Sequence, residues 1–320
     1  MLKRICQIVI LLILSVNQVT GQTSSDESYI SLAYPVYSQY LHNGLLINPA
    51  YAGSREVLSF FSSVRMQWLG IDGAPTLETV SIHSLLKNDK VGLGFSGQFL
   101  QYGVTKSNSF YADYAYHLIV GRGKLSLGLR GGLDMSNTDF SGIKESLNDP
   151  TDPVFQTNDE PYYLPNVGSG FYYYNKRYFF GAAVPSFLAY KKNSAGDISM
   201  DPFKNIDIMA CAGMLVTFSP AFKLKPSVFL DYSTDKTKEM RIDLNANLII
   251  YDFVWIGGSW RTSENVGVAI LQLQVTPQLM LGYSYDFPVG SMSGYWEASH
   301  EVILRYEFGK KISAANPRYF

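Results

Sequence analysis

The sequence predicts an all-β protein that forms a transmembrane antiparallel up-and-down β-barrel of about 14 strands. Aromatic residues make up 14% of the 320 residues, with 23 tyrosines, and charged residues only 17%. This composition is typical of many short strands with aromatic rims. The mean hydropathy is near zero, although no run after residue 21 is long enough for a membrane helix. A sheet with one apolar face explains both facts, and in lipid it must close so that no edge stays unpaired.

Residues 1–21 are predicted to be a secretory signal peptide. Lys3 and Arg4 precede an apolar run at 8–14, and small residues follow near Gly21. The alternative, a short anchor helix, is disfavoured because a spanning helix needs about 20 apolar residues. Export predicts a location in the cell outer membrane, with Cys211 as the one cysteine left after cleavage.

The chain after the signal peptide is predicted to have three parts. Residues 22–54 form an N-terminal leader and plug segment, which lies in the periplasm or fills the barrel lumen. Residues 55–308 form the barrel, as one unit rather than two domains, because all-β barrels commonly exceed 150 residues. Residues 309–320 form a periplasmic C-terminal tail. The net charge of -1 excludes an electrostatic basis for nucleic-acid binding.

The first predicted barrel strand starts at residue 58. Phe60, Val64 and Met66 share one parity, whereas Ser63 and Arg65 occupy the other. Successive side chains of a strand point to opposite faces, so this period of two indicates one apolar and one polar face. Further segments with the same alternation bring the predicted number of strands to about fourteen.

Two segments lose the alternation and collect prolines, and both are predicted to be long loops. They comprise residues 139–164 and 185–205. They follow the fifth and the seventh predicted strands, so both emerge at the same end of the barrel. If the first strand starts in the periplasm, that end is the outer one, where outer-membrane barrels carry their longer loops.

The lumen-facing parity carries charges of both signs. Pairing these charges across a narrow lumen, with residues 48–53 tucked inside, is favoured over a wide, water-filled pore. The predicted inward residues are Arg65, Gln67, His83, Asp113, His117, Arg130, Asp134, Lys223, Lys225, Asp231, Arg241, Asp243, Glu301, Arg305 and Glu307.

A set of aromatic residues is predicted to form the girdle at the membrane interfaces. Glycines 92, 94, 131 and 132 lie within strands and are predicted to relieve crowding or bend the sheet. The girdle residues are Tyr172, Tyr173, Tyr174, Tyr178, Trp255, Trp260, Tyr283, Tyr285 and Trp296.

The sequence predicts no enzyme, no cofactor and no metal site. Hydrolysis would need a serine, a histidine and an acid converging on one point. Ser299, His300 and Glu301 are adjacent on a strand, so they point alternately to opposite faces and form no triad by themselves. Cys211 stands alone, without zinc-ligand spacing. The loop acids match no calcium-binding template; they are Asp149, Asp152, Asp159 and Glu160.

One block near the start of the barrel resembles a known family. Residues 47–53 read INPAYAG, Arg65, Gln67 and Trp68 form the pattern R-x-QW, and residues 70–75 read GIDGAP. Together they resemble the PorP/SprF family of outer-membrane proteins of the Bacteroidetes type IX secretion and gliding motility systems. The block alone covers a small part of the chain.

The end of the chain carries the same resemblance. Ser299, His300 and Glu301 precede VILRYEF at 302–308, which is similar to the final strand of that family. PRYF at 317–320 is similar to its tail. The matches therefore bracket nearly the whole mature chain.

The resemblance implies a non-enzymatic barrel that supports export or cell-surface attachment of large adhesin-like client proteins. Its implied partners are the client, periplasmic or lipoprotein components of the machinery, and outer-membrane lipid. The alternative is an outer-membrane transporter or channel for a small or hydrophobic solute, with the N-terminal block as a movable plug. We expect Arg65 to brace the entry segment by donating to its carbonyls. The candidate structural or partner-binding residues are Asn48, Pro49, Ala50, Tyr51, Gly53, Arg65, Gln67, Trp68, Ser299, His300 and Glu301.

Overall fold

The computed structural model describes residues 28–30, 38, 42–87, 89–140, 161–193, 197–289 and 298–309. The predicted signal peptide and residues 310–320 of the predicted tail lie outside these ranges. The boundaries proposed for these segments therefore stay predictions.

The described residues form eighteen strands, and most of them belong to one sheet. In chain order the strands are β1 (Ser28–Ile30), β2 (Leu58–Met66), β3 (Thr76–Leu85), β4 (Val91–Tyr102), β5 (Thr105–Val120), β6 (Gly123–Thr138), β7 (Tyr162–Tyr174), β8 (Tyr178–Val184), β9 (Leu188–Lys192), β10 (Ile198–Pro202), β11 (Asp207–Met214), β12 (Val216–Thr217), β13 (Phe222–Ser233), β14 (Arg241–Ile250), β15 (Val254–Arg261), β16 (Val266–Gln274), β17 (Leu279–Pro288) and β18 (Ser299–Phe308).

The large sheet closes into an antiparallel barrel. Sequential neighbours pair from β2 to β8 and from β13 to β18, and β11 pairs with both β8 and β13. The first and last barrel strands, β2 and β18, pair along their whole length, from Leu58 opposite Phe308 to Met66 opposite His300. The two-residue strand β12 continues β11 against β13. The barrel thus has fourteen strands, which confirms the predicted fold class and strand number.

The period of two in the sequence corresponds to the two faces of the barrel wall. On β6, Leu127 and Leu129 are 49% and 62% exposed on the outer surface, whereas Ser126 and Arg130 are buried in the lumen. The same alternation appears on β2, where Val64 is exposed outward. An apolar exterior is what a strand wall needs to sit in hydrocarbon.

The two ends of the barrel differ in their connections. We call the end at which β2 starts and β18 finishes the inner end; its turns are short, as at Gly121 between β5 and β6. We call the opposite end the outer end, and it carries the connections 67–75, 139–161 and 185–206. Outer-membrane barrels place short turns in the periplasm and long loops outside. The predicted positions of the two long connections, after the fifth and seventh barrel strands, agree with this arrangement.

The prediction that residues 185–205 form a loop without regular structure is wrong. It contains β9 and β10, which form a three-stranded antiparallel sheet with β1 at the outer end. Each of these strands has five residues or fewer. Segments so short show no sustained alternation, and this is why the pattern missed them.

Residues 42–56, which we call the plug, lie inside the barrel. Leu45, Ala50 and Ala52 are fully buried there, and the plug contacts β4, β5, β6 and β7. Of the two positions predicted for the N-terminal block, periplasmic or lumenal, these residues take the lumenal one. The helical turns within the described ranges are too short to span a membrane.

Candidate functional site

The plug is built from two short 3-10 turns, Gly44–Leu46 and Pro49–Tyr51. Asn48 precedes the second turn, and its side-chain Oδ1 accepts a hydrogen bond from the backbone N–H of Ala50 at 2.9 Å. Pro49 suits the first position of the turn because its fixed φ is already helical and its missing N–H has no partner there. The Asn-Pro pair therefore folds the plug compactly within the width of the lumen.

Glycines on the barrel wall let the plug come close. A Cβ at Gly128 would overlap the backbone of Pro49 and Ala50, and one at Gly92 would overlap the carbonyl of Ala52. Gly170 similarly leaves room for the side chain of Asn48. Only glycine lets two backbones meet at such a distance. We call Gly92, Gly128 and Gly170 the glycine cradle.

The four glycines predicted to relieve crowding or bend the sheet divide into three kinds. Gly92 and Gly94 do so, because they face Ala52 and Leu45 of the plug. Gly131 instead faces open space, with nothing within 4 Å of the position that a Cβ would take. A Cβ at Gly132 would overlap the carbonyl of Phe110 and the ring of Tyr111 on β5, so the neighbouring strand and not the plug requires this glycine. The sequence indicated a glycine-rich wall, but the contacts at each position decide which glycines are required.

Apolar contacts seal the plug against the wall. One cluster joins Leu45, Ala50, Tyr51 and Ala52 to the wall residues Ala115, Tyr172 and Phe179. A second cluster joins Leu46 and Ile47 to Leu77, Leu100, Met209 and Phe229. Burial of these side chains removes apolar surface from water and stabilises the plugged state.

Three residues predicted for the membrane girdle, Tyr172, Tyr174 and Trp255, face the lumen instead. Tyr174 stacks on Tyr172 at 5.5 Å and packs against the cluster of plug and wall residues around Tyr51. Tyr172 and Trp255 have lumenal parity, and each is 3% exposed inside the barrel. The ring of Tyr51 packs edge-on against Tyr172 at 5.4 Å, and His42 packs against Trp255 at the same distance. Tyr283 and Tyr285 do face outward, and Trp296 lies outside the described residues.

Polar contacts anchor the plug backbone to separate strands. The Nδ2 of Asn48 donates to the carbonyl of Phe171 on β7 at 2.9 Å. The N–H of Gly53 donates to Nδ1 of His83 on β3 at 3.0 Å, and Nε2 of His117 on β5 donates to the carbonyl of Ala52 at 2.8 Å. Gly53 has a φ of 78°, the left-handed region that glycine adopts without strain.

Arg130 is the residue that donates to the carbonyls of the entry segment. Its guanidinium donates to the carbonyl of Leu46 at 3.1 Å and to that of Leu45. The same group makes two hydrogen bonds to Asp113, at 2.7 and 3.2 Å. The carbonyls of Leu45 and Leu46 are thus bound by Arg130 and not by Arg65, which lies nearer the outer end than Leu45 does.

Arg65 belongs to an ionic network near the outer end of the lumen. It forms an ion pair with Asp286 at 2.7 Å and another with Glu301 at 3.5 Å, and it donates to the hydroxyl of Ser38 at 2.8 Å. Arg261 lies 3.6 Å from the same Asp286 carboxylate. Arg65 therefore does brace the N-terminal segment, through Ser38.

A second ionic network lies near the inner end. Arg55, at the end of the plug, pairs with Glu307 on β18 at 2.5 Å. Arg305 on the same strand lies 3.7 Å from that carboxylate and 3.3 Å from Nδ1 of His42. Both networks connect the N-terminal part of the chain to β18, across the seam where the barrel closes.

The remaining predicted site residues lie at the outer end. Ser299 and Glu301 face the lumen, whereas His300 faces outward, where its Nδ1 lies 2.5 Å from the hydroxyl of Tyr283. The backbone N–H of Trp68 donates to the hydroxyl of Ser299 at 3.2 Å. Since His300 points away from Ser299 and Glu301, these three residues form no catalytic triad.

Gln67 takes part in closing the outer connection of β2 and β3. Its backbone N–H donates to the carbonyl of Pro75 at 2.9 Å, and its side chain is half-buried. Trp68 beside it is 39% exposed. Trp68 and His300 are therefore the predicted site residues that are accessible from outside the lumen.

Metal binding finds no support within the described residues. No group of three or more His, Cys, Asp or Glu side chains among them is arranged to hold an ion. The loop acids at 149, 152, 159 and 160 lie outside the described ranges.

Several residues of the occluded lumen were not among the predicted site residues. Ser38, Arg55, Asp286 and Arg261 all belong to its ionic networks. Inward parity gave a partial signal for the wall residues, since Asp286 shares the lumenal face of β17 with Ser284. No local sequence pattern indicated Ser38 or Arg55 as site residues, because their partners lie near the other end of the chain.

The barrel is similar to solved outer-membrane proteins. Omp33 of Acinetobacter baumannii has 9% sequence identity and a TM-score of 0.46, covering 79% of this chain and 99% of that one. A TodX mutant, described as a monoaromatic hydrocarbon channel, has 8% identity and a TM-score of 0.43, covering 85% and 95%. The KdgM porin in complex with oligogalacturonate has 11% identity and a TM-score of 0.40, covering 78% and 99%. These values support no functional comparison.

No curated protein matches the sequence. A family model does: the one for the type IX secretion system membrane protein PorP/SprF matches residues 30–306. This match spans the plug and all but the last two residues of the barrel, and with the closed barrel wall it confirms the predicted outer-membrane location. The chain belongs to the PorP/SprF family of type IX secretion system membrane proteins.

Proposed function

We propose that this barrel is a non-enzymatic component of the type IX secretion or gliding apparatus that supports export or cell-surface attachment of large adhesin-like client proteins. The observation that carries the proposal is the occupied lumen. The plug is cradled by glycines, sealed by apolar contacts and anchored by hydrogen bonds on β3, β5, β6 and β7. A barrel filled by its own chain offers its two ends, rather than its interior, to other proteins.

The two ends suit different partners. The outer end carries the three-stranded sheet of β1, β9 and β10, together with Trp68 and the connection 67–75. This end is the surface we assign to the client. We assign the short turns of the inner end, such as the turn that contains Arg122, to the periplasmic or lipoprotein components. We assign the apolar exterior of the barrel to membrane lipid.

Deletion of the gene is expected to abolish surface display of a specific large client while unrelated surface proteins remain. The measurement is mass spectrometry of peptides released from intact cells by added protease, compared between wild-type, deleted and complemented strains. Complementation with the unaltered chain should restore the client. Unchanged display of every large surface protein in the deleted strain would reject the proposal.

The alternative function, transport of a small or hydrophobic solute, makes a different prediction. A lumen wall that carries many polar and charged side chains, and a plug held against that wall by noncovalent contacts, are the features that favour it. The docking role predicts that the purified wild-type barrel in planar bilayers conducts no more than a lipid-only control, because the plug occupies the lumen. Steady conductance, or uptake of a solute into liposomes, would favour transport instead.

A further inference from the structure

The N-terminal part of the chain has described residues at both ends of the barrel. Leu58 starts β2 at the inner end. Tyr29, in contrast, lies opposite Lys191 of β9, within the connection that joins β8 to β11 at the outer end. Between Tyr29 and Leu58 the chain must therefore pass from one end of the barrel to the other.

Specific contacts hold β1 at the outer end. The hydroxyl of Tyr29 donates to Asp201 of β10 at 2.7 Å, and the Nζ of Lys191 lies 5.0 Å from the centre of the tyrosine ring. Lys191 also pairs with Asp201 at 3.4 Å. The hydrogen bond from Tyr29 lowers the pKa of Asp201, so the carboxylate is charged at neutral pH.

The next described residue along the chain, Ser38, lies inside the lumen, in the third of the barrel that is nearest the outer end. Its N–H donates to Glu301 at 2.9 Å and its hydroxyl donates to Asp286 at 2.7 Å. Each of these carboxylates lies on the third residue from the outer end of its strand, β18 or β17. Arg65, one residue from the outer end of β2, donates to the same hydroxyl.

The plug continues toward the inner end. Asn43 donates to Ser81 near the middle of β3, and Gly53 donates to His83, two residues further along that strand. Glu56 then pairs at 3.0 Å with Lys124, the second residue of β6 at the inner end. The contacts of residues 29, 38, 43, 53 and 56 thus follow one direction through the lumen.

We infer that the chain enters the barrel from the outer end and crosses the lumen before it forms the wall, so that β1 is a cell-surface element. The outer surface that we assign to the client then includes the N-terminal strand of this chain. Because the same segment continues into the plug, the surface sheet and the lumenal plug are joined by a connection of eleven residues, 31–41, which includes Ser38.

This path also constrains assembly. The wall closes when β2 pairs with β18, and β2 follows directly after the plug. A segment bounded by a surface strand at one end and by β2 at the other must lie in the lumen before that seam closes. Arg55 with Glu307 and Arg65 with Glu301 span the seam, so closing it also locks the segment in place.

The inference is tested by labelling single cysteines in intact cells with a membrane-impermeant maleimide. The background is Cys211→Ser, since Cys211 is the only cysteine outside the predicted signal peptide. Tyr29→Cys is the test variant. Lys236→Cys, in the exposed connection of β13 and β14 at the outer end, and Arg122→Cys, in an exposed inner turn, are the references.

Tyr29→Cys is expected to react in intact cells to the same extent as Lys236→Cys. Arg122→Cys should react only after the outer membrane is permeabilised. If Tyr29→Cys follows Arg122→Cys, the inference is overturned. The labelling measurement needs no client. A negative labelling result would therefore not contradict the proposed function, and a failure of the proposed function would not contradict this chain path.

A second measurement covers the case in which the sheet shields the new cysteine. Tyr29→Cys combined with Lys191→Cys places two thiols directly opposite each other on β1 and β9. Mild oxidation of the assembled barrel should join them in a disulfide within one chain. The control pair, Tyr29→Cys with Arg122→Cys, should not form one. Absence of the first disulfide together with absence of labelling in intact cells would exclude β1 from the outer end.

Discussion

Gly128→Ala is expected to expel the plug from the lumen or to prevent the barrel from folding. The added methyl group would overlap the backbone of Pro49 and Ala50, and backbone atoms cannot move aside as a flexible side chain can. Overpacking of this kind costs about 1–3 kcal/mol where the surroundings can yield, and more where they cannot. We expect at least about 3 kcal/mol here. The measurements are the free energy of unfolding in urea and the conductance of the refolded barrel.

Gly131→Ala is the matched control, because it lies three residues away on the same strand. Its Cβ would meet nothing within 4 Å, so we expect a change in the free energy of unfolding within about 0.5 kcal/mol. If Gly128→Ala folds with wild-type stability and a closed lumen, the plug does not occupy the position described. A stable but conducting Gly128→Ala barrel would instead show that the plug is what closes the lumen.

Arg65→Ala is expected to lower the yield of folded barrel, and this effect is expected to come before any effect on the binding of a partner. Arg65 is 2% exposed, and its removal leaves the carboxylates of Asp286 and Glu301 buried with Arg261 as the nearest remaining cation. Breaking a buried ion pair by deleting one partner typically costs about 3–5 kcal/mol. The folded fraction is measured by the heat-dependent shift of the barrel band in gel electrophoresis.

Two further variants separate charge pairing from other effects of Arg65. Arg122→Ala removes an exposed arginine from an inner turn and should leave the folded fraction unchanged. Adding Glu301→Gln to Arg65→Ala removes one of the two unbalanced carboxylates and should recover part of the yield. A normal yield for Arg65→Ala with failed client export would assign Arg65 to recognition rather than to assembly.

Parity explains how much of the lumen could be predicted from the sequence. Successive side chains of a strand alternate between faces, so the inward placement of Arg130, Asp113 and His83 follows from their own strands. The same rule, applied to Tyr172 and Trp255, would have placed them in the lumen. They were assigned to the girdle on residue type, and residue type does not distinguish an aromatic ring at the lipid interface from one that packs on a plug.

The pairing of inward residues could not be predicted in the same way. Arg65 and Arg130 both have inward parity, but which one reaches the carbonyls of Leu45 and Leu46 depends on how far along the lumen the plug sits. Ser38 and Glu301 are in contact although 263 residues separate them in the chain. Such contacts arise from strand register and closure, which leave no local pattern.

The sequence by itself determined the barrel, its number of strands, the end at which the long connections emerge and the face that most charged wall residues present. All of these depend on the two-residue repeat and on chain order, which are local properties. Only the tertiary structure decided that the N-terminal block lies in the lumen, that Gly128 rather than Gly131 must be glycine, and that β1 joins β9 and β10 at the outer end. These depend on which surfaces meet once the wall has closed, because burial and close packing arise only in the assembled cylinder.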